Sequence, residues 1–213
     1  MMHTSPVYSF EFFPPKTPEG ITKLTATSNM LAALRPLFFS VTFGAGGSTR
    51  DHTFETVTDL QKNTGIETAP HLSCISSTRE NIREALTAYQ KAGISHMVAL
   101  RGDMPSGMVE AGEFRHANEL VTFIREETGD HFHIEVAAYP EYHPQASSPD
   151  KDLANFKRKV SAGANSAITQ YFYNPDAYFR FVERCNATGI DIPVVPGIMP
   201  ITNYHQLARF SDA

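Results

Sequence analysis

The chain has 213 residues, 41% hydrophobic and 19% charged, which bounds it to an ordinary soluble globular protein with one sizeable core or two small ones. A formal net charge of −5, from 18 basic and 23 acidic residues with no basic block, leaves no footprint for nucleic acid or an anionic membrane surface. Two distant cysteines, Cys74 and Cys185, argue against a disulfide scaffold; with no signal-like start and no apolar run of membrane-spanning length, a cytoplasmic location is expected.

The first strand-like run, Val7–Phe12, lies in an apolar run from Val7 to Phe13 that is stopped by Pro14-Pro15, and carries a single carboxylate, Glu11, among aromatic neighbours. Such a group is an outward charge on an edge strand, or a site carboxylate that is paired or held neutral by a raised pKa. Further strand-like runs follow at Phe38–Phe43, Glu67–Leu72, His96–Leu100, His133–Tyr139, Ala167–Phe172 and Ile192–Val195. Helix-period segments lie between them, such as Ile82, Leu86 and Tyr89, or Leu153, Phe156 and Val160. Ser77 with Glu80 has capping-box spacing, and Ser148-Pro149 places a proline at a first helical position. Gly65, Gly93, Gly129, Gly163 and Gly189 mark helix ends, roughly 25 to 35 residues apart, the length of a βα unit.

Repeated βα units predict a parallel sheet, closed as a barrel or open and doubly wound. Polar residues recur at the ends of many strands: Glu11, Thr42, His71, Arg101, Asp103, Tyr139 and Gln170. A doubly wound sheet concentrates its chemistry at one switch point, whereas a barrel recruits from nearly every strand, so the spread favours a (β/α)8 TIM barrel. Seven strands are counted, and the chain stops in what reads as a seventh helix, from Asn203 onward, so the eighth βα unit is expected to be missing from a single domain spanning 1–213. Exposed apolar flanks are expected with it.

Individually, the candidate site residues have modest alternatives. Gly44-Ala45-Gly46-Gly47-Ser48 is a tight βα turn or an anion-approaching loop, and Thr49 breaks the dinucleotide pattern G-x-G-x-x-G. His71 and His143 could join Asp103 at a metal in a hydrolase or lyase, but no metal-ligand spacing accompanies them, and no metal is expected. Arg101 and Asp103 form a surface ion pair or share a site face across Gly102. Lys157-Arg158-Lys159 is a solvated helix face or a phosphate contact, and Gln170 satisfies backbone or reads a heterocycle edge.

Together, and in order, these stretches resemble the methylenetetrahydrofolate reductase family. The resemblance rests on Ser9-Phe10-Glu11-Phe12-Phe13-Pro14-Pro15-Lys16, Val41-Thr42-Phe43-Gly44-Ala45-Gly46-Gly47-Ser48-Thr49-Arg50-Asp51, Ala69-Pro70-His71-Leu72 and Leu100-Arg101-Gly102-Asp103. It continues through Ala138-Tyr139-Pro140-Glu141, Lys157-Arg158-Lys159-Val160, Gly163-Ala164-Asn165, Thr169-Gln170 and Pro196-Gly197-Ile198-Met199-Pro200. It implies an FAD-holding barrel that reduces 5,10-methylenetetrahydrofolate to 5-methyltetrahydrofolate in one-carbon metabolism and methionine biosynthesis, with NADH or NADPH as donor through a ping-pong sequence. It also implies small-molecule partners only, in a homo-oligomer.

By position, the resemblance makes Glu11 the general acid and Asp103 an electrostatic partner of flavin and pterin. Gln170 and Gln206 become folate contacts. Thr42, Ala45, His71, Leu100, Arg101, Gly102 and Asp103 fall around the isoalloxazine and ribityl chain. Tyr139, His143, Ala146, Asp152, Asn155, Arg158 and Lys159 fall toward the pyrophosphate and adenosine, and His116 and Ala117 align beside a loop of variable length, Met104–Glu113. A fragment lacking activity remains the non-enzymatic alternative, because every motif precedes the missing unit.

Overall fold

A proline pair, side-chain caps and glycines cut the chain into alternating strands and helices, and the strands assemble into one seven-stranded sheet. The computed structural model describes residues 6–43, 49–102 and 112–201. Among these the strands are β1 Phe10–Phe12, β2 Phe39–Val41, β3 Thr68–Ser73, β4 His96–Leu100, β5 His133–Ala138, β6 Ser166–Thr169 and β7 Val194–Val195. The helices are α1 Pro18–Ala32, α2 Thr49–Thr64, α3 Arg79–Lys91, α4 Ala117–Thr128, α5 Pro149–Ser161 and α6 Pro175–Ala187. No helix among the described residues is long and apolar enough to cross a membrane.

Strand order follows chain order from β1 to β7, and every pair is parallel. A doubly wound sheet reverses direction at a switch point; this one does not. Right-handed crossovers repeated in one direction put the helices on one face and leave the other as a barrel interior. The fold is therefore the expected α/β TIM-like barrel, with seven of its eight βα units represented among the strands.

The two faces differ in chemistry because successive side chains alternate. Val41, Leu72, Met97, Ala99, Ile134, Val136 and Ala167 belong to the large core shared with the helices, beside Leu86, Leu120, Ile124 and Phe156. The intervening residues Ala69 and Val98 form a small separate cluster with Phe38, against which Leu100 and Ile168 pack. Six further inward positions are polar and buried: Ser40, His71, Ser73, His96, Glu135 and Ser166. An interior so short of bulky aliphatics is built to hold chemistry as well as to pack.

Local signals set the boundaries with a few shifts. Gly65, Gly93, Gly129, Gly163 and Gly189 all adopt positive φ after the helices, as expected. Ser148 caps α5, accepting from Lys151 N–H at 3.2 Å, with Pro149 following. The cap of α3 is Thr78 rather than Ser77: Thr78 has extended backbone and its hydroxyl takes the Asn81 N–H at 3.1 Å. The predicted sixth strand, Ala167–Phe172, instead spans Ser166–Thr169, since the last ladder bond to β5 is Gln170 N–H to the Ala138 carbonyl. The first strand is likewise shorter than Val7–Phe12, although Tyr8 still accepts from Leu37 N–H. The expected seventh helix lies outside the described residues.

Large exposed apolar side chains concentrate on the first and last βα units, notably Val7, Phe13, Met30, Leu37, Phe179, Ile198 and Ile201. These flank β1 and β7, each with one strand neighbour. Inside that edge, Phe39 is fully buried and meets Phe12 and Phe10 with ring centroids 5.1 and 6.4 Å away. Phe39→Ala should cost about 3–5 kcal/mol, by the lost transfer energy and the cavity left behind. Urea unfolding checks this: the midpoint should fall at unchanged slope, and a shift below about 1 kcal/mol would show that the site collapses freely.

Candidate active site

Two groups of polar side chains meet at the carboxyl ends of the strands. The first joins β1 to β3. Phe10 and Phe12 turn toward the core beside Phe39, which leaves Glu11 on the opposite, inward face. His71, on β3, points to that same interior, and its Nε2 lies 3.5 Å from Glu11 Oε2. The carboxyl is half exposed at 49%, the imidazole almost fully enclosed at 10%.

Burial pushes the His71 imidazole down to about 4, so it is neutral at pH 7. Partial desolvation raises the Glu11 carboxyl above its usual range. The contact is therefore a neutral ring facing a carboxyl with a raised pKa, and not an ion pair. At 3.5 Å it is also too long for a hydrogen bond, and His71 Nε2 has no hydrogen-bond partner among the described residues.

A consequence for stability follows. Between pH 6.5 and about 4 the unfolded chain protonates His71 while the folded chain does not. Stability is thus full above the unfolded value and falls as pH drops through that window, by up to about 3 kcal/mol. His71→Gln should remove this share of acid sensitivity. Denaturant unfolding at neutral and mildly acidic pH tests it: an equal acid loss in both proteins would refute a buried neutral imidazole.

The second group surrounds a cleft of about 340 Å³ between the ends of β4 and β5, the start of α4 and one side of α5 as far as its last turn. Its walls include Leu100, Arg101, Gly102, His116, Ala117, Tyr139, His143, Ala146, Asp152, Asn155, Arg158 and Lys159. These are twelve of the sixteen residues expected to bind a cofactor. Thr42 and His71 lie elsewhere on the rim, after β2 and within β3; Gln170 follows β6 and is exposed. Ala45, Asp103 and Gln206 lie outside the described residues.

Each wall residue is placed by a local cause. The Arg101 carbonyl accepts from Ser73 Oγ at 2.9 Å and from Ile75 N–H at 2.8 Å, which fixes the turn after β4. Gly102 then takes φ +84°, where a Cβ would stand 2.0 Å from Ser73 Oγ. Arg101 reaches Gln145 Oε1 at 2.8 Å, and Arg158 donates to Asn155 Oδ1 at 3.0 Å. Lys159 donates to the Ala137 carbonyl at 2.5 Å; burial lowers its ammonium to about 8, opposed by the Asp152 charge. Tyr139 and His143 meet edge to face at 4.6 Å.

Helix α4 opens on this cleft, and its N-cap residue His116 makes no side-chain cap bond among the described residues, whereas the N-cap side chains of α1, α3, α5 and α6 each make one. A helix N-terminus facing Arg101, Arg158 and Lys159 suits a polyanion. Gln145, Asn118, Ala99 and Ala137 also line the cleft and escaped the sequence reading. Ala137 had a usable signal, since it sits two residues before Tyr139 on the same strand face.

Fold and site define a parallel α/β-barrel protein with a cationic, cofactor-sized cleft and a protonatable carboxyl at the strand ends. The methylenetetrahydrofolate reductase family profile matches residues 1–213, and the chain belongs to that family. It is 48% identical over 204 residues to the 5,10-methylenetetrahydrofolate reductase of Pectobacterium carotovorum subsp. carotovorum, covering 95% of this chain and 67% of that one. The Escherichia coli K12 enzyme of the same name is 46% identical, with 96% and 68% covered. The probable methylenetetrahydrofolate reductase (NADH) of Oryza sativa subsp. japonica is 44% identical, with 96% and 37% covered. Among solved structures, an uncharacterized Clostridium thermocellum protein that binds two copies of 5-methyl-5,6,7,8-tetrahydrofolic acid superposes with a TM-score of 0.68 at 15% identity, covering 97% of this chain and 70% of that one. That likeness speaks for the fold alone.

Proposed function

We propose that this chain reduces 5,10-methylenetetrahydrofolate to 5-methyltetrahydrofolate with electrons from NADH or NADPH, and that FAD is its resident cofactor. The observation that carries the reading is the convergence of the twelve expected cofactor residues on one cleft. The cleft suits a dinucleotide by its chemistry: a helix N-terminus and three cationic side chains for a pyrophosphate, and a Gly102 backbone bare of Cβ for close approach. Its volume falls within the roughly 300–1,000 Å³ usual for ligand sites. Arg158 and Lys159 would hold phosphate, Asp152 and Asn155 the sugar side, and Arg101, Gly102, Thr42 and His71 the ring system. When bound, FAD supplies a two-electron carrier between reduced nicotinamide and folate.

Glu11 serves as general acid. Opening the folate imidazolidine ring breaks a C–N bond, whose electron pair stays on nitrogen and takes a proton from Glu11. The carbon left behind is a cationic iminium, which then accepts hydride. A carboxyl shifted upward by desolvation retains that proton nearer neutral pH than an ordinary glutamate does. His71, neutral beside it, offers no charge that would strip the proton away. Asp103 is the proposed counter-charge for the iminium, and Gln170 and Gln206 the proposed pterin contacts.

The test is the visible spectrum of the purified chain, before and after anaerobic NADH and then methylenetetrahydrofolate. Flavin bands that bleach with NADH and return with folate are expected. A colourless protein that takes up no added FAD would overturn the reading.

A further inference from the structure

The inner face of the sheet holds a second polar cluster at the opposite end from the cleft. His96 opens β4 and His133 opens β5, paired in register, while Glu135 pairs with Ser166 at the start of β6. One ligating atom from each of His96, His133 and Glu135 lies within 4.8 Å of the other two. His96 Nε2 stands 3.5 Å from Glu135 Oε1. That separation matches the edge, about 3.3–3.6 Å, of a tetrahedron around an ion with nitrogen and oxygen ligands at its usual bond lengths.

The side chains of His96 and Glu135 are 6% and 4% exposed, yet His96 Nε2 and Glu135 Oε2 have no hydrogen-bond partner among the described residues. Buried polar atoms left so are costly, and a cation between them would satisfy both. Ser166 Oγ donates to Glu135 Oε1 at 3.1 Å and lies 2.7 Å from His133 Nε2, the arrangement of an outer-sphere group that orients two ligands. Phe38 packs on the His96 ring at 4.2 Å and closes one wall, while His133 is exposed and provides an entry path.

We propose that His96, His133 and Glu135 bind a divalent transition-metal ion of the zinc class at the N-terminal end of the barrel. Two imidazoles and one carboxylate select Zn²⁺ over Mg²⁺ or Ca²⁺, which require oxygen ligands, and water completes the coordination. The ion ties β4 to β5. It takes no part in the chemistry at the mouth, because His96 and Arg101 are five residues apart along one strand, roughly 17 Å. Sequence spacing hid this site, since its ligands come from two strands brought level by the parallel pairing.

The experiment titrates the metal-stripped full chain with Co²⁺, follows the visible d–d band, displaces it with Zn²⁺, and records the thermal midpoint with and without Zn²⁺. One equivalent is expected to bind and raise the midpoint. His133→Asn and Glu135→Gln should each weaken binding by more than the roughly 10–100-fold that losing an outer-sphere partner costs, and Ser166→Ala should fall within that range. His52→Asn, on the exposed face of α2, should change nothing. Absence of both the cobalt band and the zinc shift overturns the proposal. So does binding that survives His133→Asn unaltered, or that is lost in His52→Asn; because His133 is exposed, its variant decides the question even where Glu135→Gln fails to fold.

Discussion

Glu11→Gln is expected to leave flavin reduction by NADH at the wild-type rate while lowering the folate half-reaction about 10²- to 10⁴-fold, the usual contribution of a positioned general acid. The asymmetry follows from where protons are needed. Hydride transfer from nicotinamide to a flavin asks nothing of this carboxyl, whereas ring opening requires a proton on the departing nitrogen. Glutamine keeps the size and the position between Phe10 and Phe12 but has no proton to give. The pH profile supplies a second readout. Because desolvation raises the Glu11 carboxyl, the acid form persists upward from the ordinary glutamate range and is lost as pH rises through the shifted value. The wild-type folate step should therefore decline on its alkaline side, and the variant's residual rate should lack that limb. Rapid-mixing measurements of the two half-reactions decide the matter: equal losses in both would sink the acid assignment and make Glu11 a structural residue.

Gly102→Ala should destabilise the chain and loosen the cofactor together. At φ +84° an L side chain costs about 1–2 kcal/mol from the backbone alone. The new methyl would lie 2.0 Å from Ser73 Oγ and 2.9 Å from Ile75 Cγ2, so the serine hydroxyl must leave the Arg101 carbonyl, at a further net cost of about 1 kcal/mol. A total of roughly 2–3 kcal/mol corresponds to a melting point lowered by about 4–12 °C for a chain of this size. Arg101, next in the chain, would move with the turn and weaken FAD retention. Adding Ser73→Gly to the variant should recover part of the melting point by making room for the methyl. A wild-type midpoint in the single variant would show that the turn relaxes freely, and the close-approach argument for Gly102 would fail.

Much of the architecture was legible locally. The Pro14-Pro15 stop, the Ser148-Pro149 cap and the five helix-ending glycines act through backbone conformations set within a few residues, and all stand where expected. The misplacements were local competitions as well. Ser77 and Thr78 are both competent caps, and the extended backbone at Thr78 decided between them. Strand ends were overextended because Tyr171 and Phe172 have strand propensity but lie past Gln170, whose N–H makes the last bond to the Ala138 carbonyl.

The site divides along the same line. Alternation and motif order pointed to Glu11, His71, Arg101 and Tyr139 near the strand ends and to Arg158 and Lys159 on helix α5. Tertiary structure alone decided what they face. The 3.5 Å approach of His71 to Glu11, the neutral state that burial imposes on that histidine, and the joining of Gln145 to Arg101 depend on segments 44 to 60 residues apart. The pairing of His96 with His133 at the other end of the barrel is of the same kind. The physical reason is that hydrophobic period fixes a strand's faces, whereas the register between strands is set by the crossover helices packing on the sheet, and register determines which polar groups are buried together.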